Sequence, residues 1–376
     1  MKEDRKEKGN VPNLRFPQFH GEWEKKKINT LTNIKAGATP STLNAEYWNG
    51  NIRWMSSGEL NKKRIYEVNG RISELGLQRT STTLVPSGCV LIGLAGQGKT
   101  RGTAAINYVE LCTNQSIASI LPSKNVNSEF LYQNIESRYQ ELRDISSGDG
   151  GRGGLNLSII GNLYVPICSM AEQQKIAQFL HLIDQRIETQ NKIIKELESL
   201  IKGIRQTLFK ETTTWKSCKI GDILKIGSGR DYKHLETGNI PVFGTGGYML
   251  SVNDYLYDGE SVCIGRKGTI NKPLFLYGKF WTVDTLFYTY NFQRLLPRFC
   301  YYLFSSINWL QYNEASGVPS LSKETIENIQ VHLPNMGEQE KICSILDLIN
   351  SKLETENKTL SAYQVQKKYI LNKLFI

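Results

Sequence analysis

Two stretches of the chain decide its fold: residues 170–209, MAEQQKIAQFLHLIDQRIETQNKIIKELESLIKGIRQTLF, and residues 336–375, MGEQEKICSILDLINSKLETENKTLSAYQVQKKYILNKLF. They align without a gap, and the match extends upstream, because residues 155–209 and 321–375 are identical at 20 of 55 positions. Two unrelated helices rarely keep register over such a length, so the chain contains an internal duplication. A period this long indicates two tandem domains and not a solenoid.

In both stretches apolar residues recur at alternating steps of four and three, which predicts a long helix with an apolar seam, typical of coiled coils. The residues expected to form these partner-helix seams include Ile176, Leu180, Ile183 and Ile187 in the first copy and Ile342, Leu346, Ile349 and Leu353 in the second. Each seam has a polar break at the same aligned position, Gln190 or Glu356. At 1.5 Å per residue, about 38 residues give a helix of roughly 57 Å. Each seam needs a partner, either the other seam or another protein.

The region before each helical stretch is rich in Gly, Tyr, Trp, Thr and Val. Short β-rich runs occur there, with turn signals between them. Examples are Cys89 to Leu94, Ser261 to Gly265 and Phe280 to Tyr290. The two regions align with each other only around Trp23 and Trp215 and around Gly93 and Gly265. The sequence therefore predicts an α+β chain in which two β-rich domains alternate with two long helices.

The duplication also predicts the domain boundaries. In chain order we expect an N-terminal extension (1–20), a first β-rich domain (21–165), a first repeated helix (170–210), a second β-rich domain (211–333) and a second repeated helix (336–376). The Gly-rich segment 146–154 is then a joint between the first β-rich domain and its helix.

Composition narrows the class of protein. The 376 residues carry 46 basic and 36 acidic side chains, a formal net charge of +10, of which +6 lies in residues 1–170. A basic balance favours an anionic partner such as nucleic acid. The seven cysteines are odd in number and at least 23 residues apart, which indicates reduced thiols. The first residues are charged and lack the apolar core of a signal peptide, so we expect a cytoplasmic protein without a membrane span.

One motif suggests an enzyme. The segment from Gly93 to Thr100 fits GxxxxGK[ST], the phosphate-binding P-loop. A P-loop opens directly into a helix, however, and here Arg101-Gly102-Thr103 follows, with a glycine and a β-branched residue. A basic glycine loop after a strand can equally place Lys99 and Arg101 against a DNA phosphate. Since no other catalytic motif occurs, we expect a chain without catalytic residues. The alternatives are a P-loop nucleotide hydrolase that uses Lys99, or a freestanding DNA nuclease.

Basic residues beside aromatic or glycine-rich segments, together with Gln97 and Tyr232 in two of these segments, are candidates for contact with DNA. They are Arg53, Arg79, Gln97, Lys99, Arg101, Arg152, Arg230, Tyr232, Lys233, Arg266 and Lys267. No spacing of His, Cys, Asp or Glu indicates a metal site.

Several segments together resemble the specificity subunit of type I restriction–modification enzymes, and the resemblance covers nearly the whole chain from about Val11. In the first half they are Val11 to Pro17, Gly21 to Trp23, Leu91 to Gly102 and Thr113 to Ser116. In the second half they are Pro241 to Gly247, Ile264 to Thr269 and Trp281 to Thr285. The sequence Glu-Gln-x-Lys-Ile opens both repeated helices, as in that family. One departure is Pro166, which lies two residues earlier than the proline expected before the first helix.

The resemblance implies two target recognition domains that each read half of a bipartite target in double-stranded DNA, held apart by two antiparallel coiled-coil helices. It further implies that the helices recruit two modification (methyltransferase) subunits, while two restriction subunits supply translocation and cleavage. This chain then needs no cofactor, and S-adenosylmethionine, ATP and Mg²⁺ are expected on the partner subunits. Because the recognition regions differ while the helices match, the two half-sites should also differ.

Overall fold

The computed structural model describes residues 10–96, 100–146, 154–209 and 215–375. The chain divides into two compact units. Unit 1 comprises Met1–Asn191 and Thr359–Ile376, and unit 2 comprises Lys192–Lys358. The predicted Gln97, Lys99, Arg152 and most of the Gly-rich segment 146–154 lie outside the described residues.

The secondary structure of unit 1 is mostly short strands. The strands are β1 (Glu24–Lys27), β2 (Ile34–Ala36), β3 (Trp48–Met55), β4 (Arg64–Ile65), β5 (Gly70–Ile72), β6 (Leu84–Val85), β7 (Val90–Gly93), β8 (Ala104–Asn107), β9 (Leu111–Thr113), β10 (Ile117–Ile120) and β11 (Tyr164–Ile167). The helices are α1 (Ile28–Leu31), α2 (Glu74–Gln78), α3 (Ser128–Ser137), α4 (Tyr139–Ile145), α5 (Leu157–Asn162) and α6 (Met170–Leu208). Two 3₁₀ helices are Ala45–Tyr47 and Ser57–Lys62.

Unit 2 has the same kind of content. Its strands are β12 (Lys216–Lys219), β13 (Lys225–Ser228), β14 (Thr237–Gly244), β15 (Gly247–Val252), β16 (Tyr257–Asp258), β17 (Ser261–Gly265), β18 (Leu274–Leu276), β19 (Lys279–Thr282), β20 (Leu286–Tyr290) and β21 (Gln330–Leu333). Its helices are α7 (Ile220–Ile223), α8 (Pro297–Ser306), α9 (Lys323–Asn328) and α10 (Met336–Leu374), with a 3₁₀ helix at Trp309–Tyr312.

The strand order shows that the two units repeat one topology. In unit 1 the sheets are β2-β10-β7-β8-β4 and β5-β3-β9-β6, and β1 pairs with β11. In unit 2 they are β13-β20-β17-β18 and β15-β14-β19-β16, and β12 pairs with β21. The second sheet of each unit holds one parallel pair, β3 with β9 and β14 with β19. The recognition regions are therefore alike in fold far beyond the two places where their sequences align.

The β-rich run from Phe280 to Tyr290 contains two strands, β19 and β20. A turn at Val283 to Thr285 separates β19 from β20 and is closed by the Leu286 N–H, which donates to the Val283 carbonyl at 2.9 Å. The β-branched and aromatic residues on both sides of this turn produce one continuous pattern in the sequence, so the break is hidden. Two arginines, Arg230 and Arg266, donate backbone hydrogen bonds to the two ends of this turn.

Helices α6 and α10 are each 39 residues long, and each begins in one unit and ends in the other. In unit 1, Ile176 and Leu180 near the start of α6 share a core with Ile370 and Leu374 near the end of α10. In unit 2 the pairing is reversed, because the core formed by Ile342 and Leu346 of α10 is covered by the end of α6. Within each unit the two helices are therefore antiparallel. The other seam residues, Ile183, Ile187, Ile349 and Leu353, are half-buried.

Both cores join a recognition region to the long helices. Trp23 lies against Phe130 of α3 in unit 1, and Trp215 lies against Phe299 of α8 in unit 2. Burial of such aromatic side chains supplies much of the free energy that holds a domain together. Among the helices that the structure describes, none is long and apolar enough to cross a membrane.

Candidate nucleic-acid interface

In unit 2 a loop after β17 presents two of the predicted basic residues. The strand ends at Gly265, where a Cβ would overlap the Thr269 carbonyl oxygen, so the chain can turn this tightly only at a glycine. The Arg266 N–H donates to the Thr285 carbonyl at 2.8 Å, and the Gly268 N–H donates to the Pro319 carbonyl at 2.8 Å. The backbone of the loop is thus fixed on both sides, while the side chains of Arg266 and Lys267 are exposed.

A second turn brings Arg230 to the same place. After β13 the chain crosses from one sheet to the other at Gly229, where a Cβ would overlap the Val283 carbonyl oxygen. The Arg230 N–H donates to the Thr282 carbonyl at 2.9 Å, and the Trp281 indole N–H donates to the Arg230 carbonyl at 2.8 Å. The Arg230 N–H is thus bonded to one end of the turn between β19 and β20 and the Arg266 N–H to the other, so one short turn holds the backbone of both arginines.

These loops border a cavity of about 880 Å³. Its charged lining residues are Arg266, Lys267, Lys323 and Glu314. Glu314 accepts hydrogen bonds from the Ser322 hydroxyl at 2.7 Å and from the Thr325 hydroxyl, which lower the pKa of its carboxyl group. The Glu314 carboxylate is therefore hydrogen-bonded to Ser322 and Thr325, and the other charged side chains that line the cavity are the three cations. We call Arg230, Arg266, Lys267 and Lys323 the basic loop surface of unit 2.

Tyr232 and Lys233 follow the crossing turn. Tyr232 is half-buried against the small apolar cluster of Val242, Val252, Trp281 and Val283, so its ring anchors the turn. Lys233 is exposed beside it. The two neighbours thus differ in exposure, and contact of either with DNA stays a prediction.

Unit 1 builds the equivalent surface from different residues. A Cβ at Gly93 would overlap the Thr100 carbonyl oxygen, and a Cβ at Gly37 would overlap the Thr113 carbonyl oxygen. The Trp54 indole N–H donates to the Ala38 carbonyl at 3.0 Å, which is the bond that Trp281 makes in unit 2. Arg101 is half-buried in the loop after Gly93. The residues after this loop form strand β8, so the described chain does not provide the helix that a P-loop requires here.

The remaining two predicted residues lie on other elements. Arg53 is on β3, where its Nε lies 3.2 Å from Glu67 Oε1, and hydrogen bonds from Arg53 lower the pKa of Glu67 to about 2. Its charge is therefore already matched, whereas within the described chain no carboxylate pairs with Arg266. Arg79 is exposed directly after α2. Sequence reasoning missed Lys323, since nothing local distinguishes a lysine at the start of a short helix.

The repeated Glu-Gln pair connects each recognition region to a long helix through polar contacts. The buried Gln173 accepts from the Asn127 N–H at 2.8 Å and donates to the Cys168 carbonyl at 2.9 Å. The buried Gln339 accepts from the Leu296 N–H at 2.9 Å and donates to the Pro334 carbonyl at 3.1 Å. Each glutamine therefore ties the start of its helix to the first turn of α3 or α8.

The preceding glutamates have different partners in the two units. Glu172 pairs with Arg15 at 2.7 Å, whereas Glu338 accepts the indole N–H of Trp215 at 3.0 Å. The sequence repeat identified these positions but could not show what they bind, because each partner lies more than 120 residues away.

Comparison with known proteins decides the family. The family model described as "Type I restriction modification DNA specificity domain" matches residues 20–199 and again residues 212–362. The chain belongs to this family. Its two matched segments follow the duplication seen in the sequence and in the strand order, so each unit contains most of one specificity domain.

Curated relatives carry names from the same family. The chain is 31% identical over 239 residues to the type I restriction enzyme MjaIX specificity subunit of Methanocaldococcus jannaschii, an alignment that covers 57% of this chain and 54% of the relative. It is 26% identical over 175 residues to the EcoR124I/EcoR124II specificity subunit of Escherichia coli, with 46% and 43% covered. The chain thus spans about half the length of these relatives.

A solved structure shares the fold along nearly the whole chain. The S subunit of a type I restriction–modification system from M. genitalium superposes with a TM-score of 0.65 at 20% sequence identity, and the match covers 97% of this chain and 99% of that one. This likeness is one of fold. Each specificity domain of this chain presents one loop surface. Both surfaces depend on two glycines at tight turns, Gly37 and Gly93 in unit 1 and Gly229 and Gly265 in unit 2, but their other side chains differ.

Proposed function

We propose that this chain is the DNA-recognition subunit of a type I restriction–modification complex and reads an asymmetric, bipartite target in double-stranded DNA. The observation that carries the proposal is the repeated loop surface. Both units use the same glycine crossing and the same tryptophan hydrogen bond to hold their loops, yet Ala38 stands in unit 1 where Arg230 stands in unit 2, and Leu94 follows Gly93 where Arg266 follows Gly265. Two surfaces built alike with different side chains would read two different half-sites.

The long helices are proposed to dock the partner subunits. Leu182 of α6 and Leu348 of α10 occupy the same position in the sequence repeat and are 53% and 74% exposed. Large apolar side chains exposed at equivalent positions are suited to contact two copies of one partner. The partners would be two modification subunits, to which two restriction subunits are added. S-adenosylmethionine, ATP and Mg²⁺ would be bound by these partners in the cytoplasm, and this chain would perform no catalysis itself.

The alternative functions have weaker support. A P-loop hydrolase would need a helix after Thr100, and the described residues there lead into β8. A freestanding nuclease would need clustered carboxylates, and in the described part of the chain no group of three or more His, Cys, Asp or Glu residues could hold a metal ion. The binding role therefore accounts better for the geometry.

Methylome sequencing of cells that express the chain with its modification partner tests the proposal. We expect one methylated motif made of two unequal half-sites separated by a spacer of fixed length. A palindromic motif, or methylation that does not depend on this chain, would contradict it. Purified chain alone should neither hydrolyse ATP nor cleave DNA, and either activity would favour the alternatives.

A further inference from the structure

Unit 1 contains a buried ion-pair cluster that the proposed function does not use. Asp184 of α6 lies at its centre, with Oδ1 2.6 Å from Lys367 of α10 and Oδ2 2.7 Å from Arg64 of β4. Arg64 also contacts Glu129 at 2.6 Å, and Lys367 also contacts Glu136 at 3.0 Å. We call these five residues the ion-pair cluster.

The cluster is enclosed and fully bonded at its centre. The side chains of Arg64, Lys367 and Asp184 are only 8%, 13% and 15% exposed. The Gln133 amide adds a hydrogen bond to Asp184 at 2.7 Å and one to Glu129 at 2.9 Å. Both carboxylate oxygens of Asp184 are thus occupied from different directions, and a rotation of α6 against α3 would break at least one of these contacts. A buried charge that loses its partner is costly, so such a rotation is resisted.

The cluster lies where the recognition region meets the helices. Arg64 belongs to the sheet of unit 1, and Glu129, Gln133 and Glu136 follow one face of α3 at steps of four and three residues. Asp184 and Lys367 come from the two long helices. Four elements that are distant in sequence are therefore joined by charges, in addition to the apolar core beside them.

Unit 2 connects its recognition region to the long helices through different residues. The sequence repeat places Ile201 at the position of Lys367 and Asn350 at the position of Asp184. Gln173 and Gln339 accept the same kind of hydrogen bond, from the residue before α3 and from the residue before α8. When these two residues are aligned, Ser305 of α8 takes the position of Glu136 of α3. In unit 2 Arg298 of α8 pairs with Asp347 of α10 at 2.6 Å, and the Asn350 amide donates to the Tyr302 hydroxyl at 3.2 Å.

We propose that Asp184, Lys367, Glu136 and Arg64 are positioning residues that hold the recognition region of unit 1 in one rotational setting on α6 and α10. The proposal rests on the proposed function, because this setting then determines which spacer length the complex accepts between its half-sites. The residues touch no DNA. They act by orienting the domain that does.

The test compares the methylated motifs of four complexes: wild type, Lys367→Ile, Lys368→Ile, and the triple variant Lys367→Ile, Asp184→Asn, Glu136→Ser. Lys367 and Asp184 line a cavity of about 600 Å³ in unit 1. Lys368 lines this cavity as well but is exposed, which makes it the matched control. The triple variant installs the residues that unit 2 carries at these positions, so it removes the cation together with the two carboxylates that need it.

We expect wild type and Lys368→Ile to methylate one spacer length. In Lys367→Ile the preference for that spacer over spacers one base pair longer or shorter should fall about tenfold or more, since the buried carboxylates lose their partner. The triple variant lacks the same links but leaves no carboxylate of the pair with Lys367 unpaired, so it should fold and show the same loss of preference. An unchanged preference in Lys367→Ile would overturn the proposal, and if that variant is inactive, a triple variant that keeps the wild-type preference for one spacer overturns it as well. A wild-type complex without a bipartite motif would instead refute the proposed function, and the inference with it.

Discussion

At the residue scale, Arg266 and Arg53 differ in how much of their charge is available to DNA. Arg266 lies on the basic loop surface without a carboxylate partner among the described residues, whereas Arg53 is paired with Glu67. Arg266→Ala should lower DNA affinity by about 1–3 kcal/mol and reduce the salt slope of binding by about 1. Arg53→Ala should change both much less. Binding isotherms of the complex at several salt concentrations measure this, and equal losses for the two variants would contradict it.

Because the carboxyl group of Asp184 is buried among charged partners, we expect the stability of unit 1 to depend on pH. Burial alone would raise the pKa of its carboxyl group, but Lys367, Gln133 and Arg64 outweigh burial and lower it. A depressed pKa means that the carboxylate stabilises the fold above the unfolded pKa of about 3.9 and that this stabilisation is lost as pH falls through the folded value. The difference in unfolding free energy between wild type and Asp184→Asn should therefore be large at pH 7 and shrink below about pH 4. A difference that stays constant from pH 7 down to pH 3 would show that folding does not lower the pKa of Asp184.

At the element scale, the crossing turn after β13 depends on Gly229. A Cβ at Gly229 would meet backbone carbonyls of Thr282 and Val283, which cannot move without disturbing β19. Gly229→Ala should therefore destabilise unit 2 by about 1–3 kcal/mol, the usual cost of an overpacked site. Gly246→Ala is the matched control in the same unit, because a Cβ there has no atom within 4 Å. Thermal unfolding of both variants decides the matter, and equal midpoints would mean that the turn adapts.

How far the sequence predicts the structure also depends on the element. The long helices and their seams follow from a local heptad pattern, and the Glu-Gln pairs follow from the repeat. The common topology of the recognition regions was hidden, because residues at different places in the chain make the same hydrogen bonds: Trp54 is on β3, whereas Trp281 is on β19, which is the counterpart of β9. The ion-pair cluster was hidden as well, since Arg64 and Lys367 are about 300 residues apart. In the heptad pattern Lys367 is only a polar residue in an apolar seam.

At the scale of the whole molecule, α6 runs as one helix from unit 1 into unit 2, so its length should set the spacer. Four residues inserted near Gln190 lengthen the helix by roughly 6 Å at 1.5 Å per residue. Since B-DNA advances about 3.4 Å per base pair, the spacer should grow by about one or two base pairs. Both half-sites should stay the same, because the insertion lies outside the recognition regions. The methylated motif of the insertion variant is the measurement, and retained activity with the original spacer would show that another part of the molecule sets the distance.

The hydrogen bonds of Gln173 and Gln339 have a consequence for the exchange of recognition regions between genes. Gln173 and Gln339 hold α3 and α8 through main-chain N–H groups, which every residue except proline carries at the start of a helix. A recognition region acquired by recombination would therefore form the same hydrogen bond to the glutamine, whatever side chains it carries. The unit 2 segment must also bring Arg298 to Asp347, but both side chains of that pair are more than a third exposed, so the loss of the pair costs little. The unit 1 segment must also bring Arg64, Glu129 and Glu136 to meet Asp184 and Lys367, so gene exchange should renew the second half of the DNA target more readily than the first.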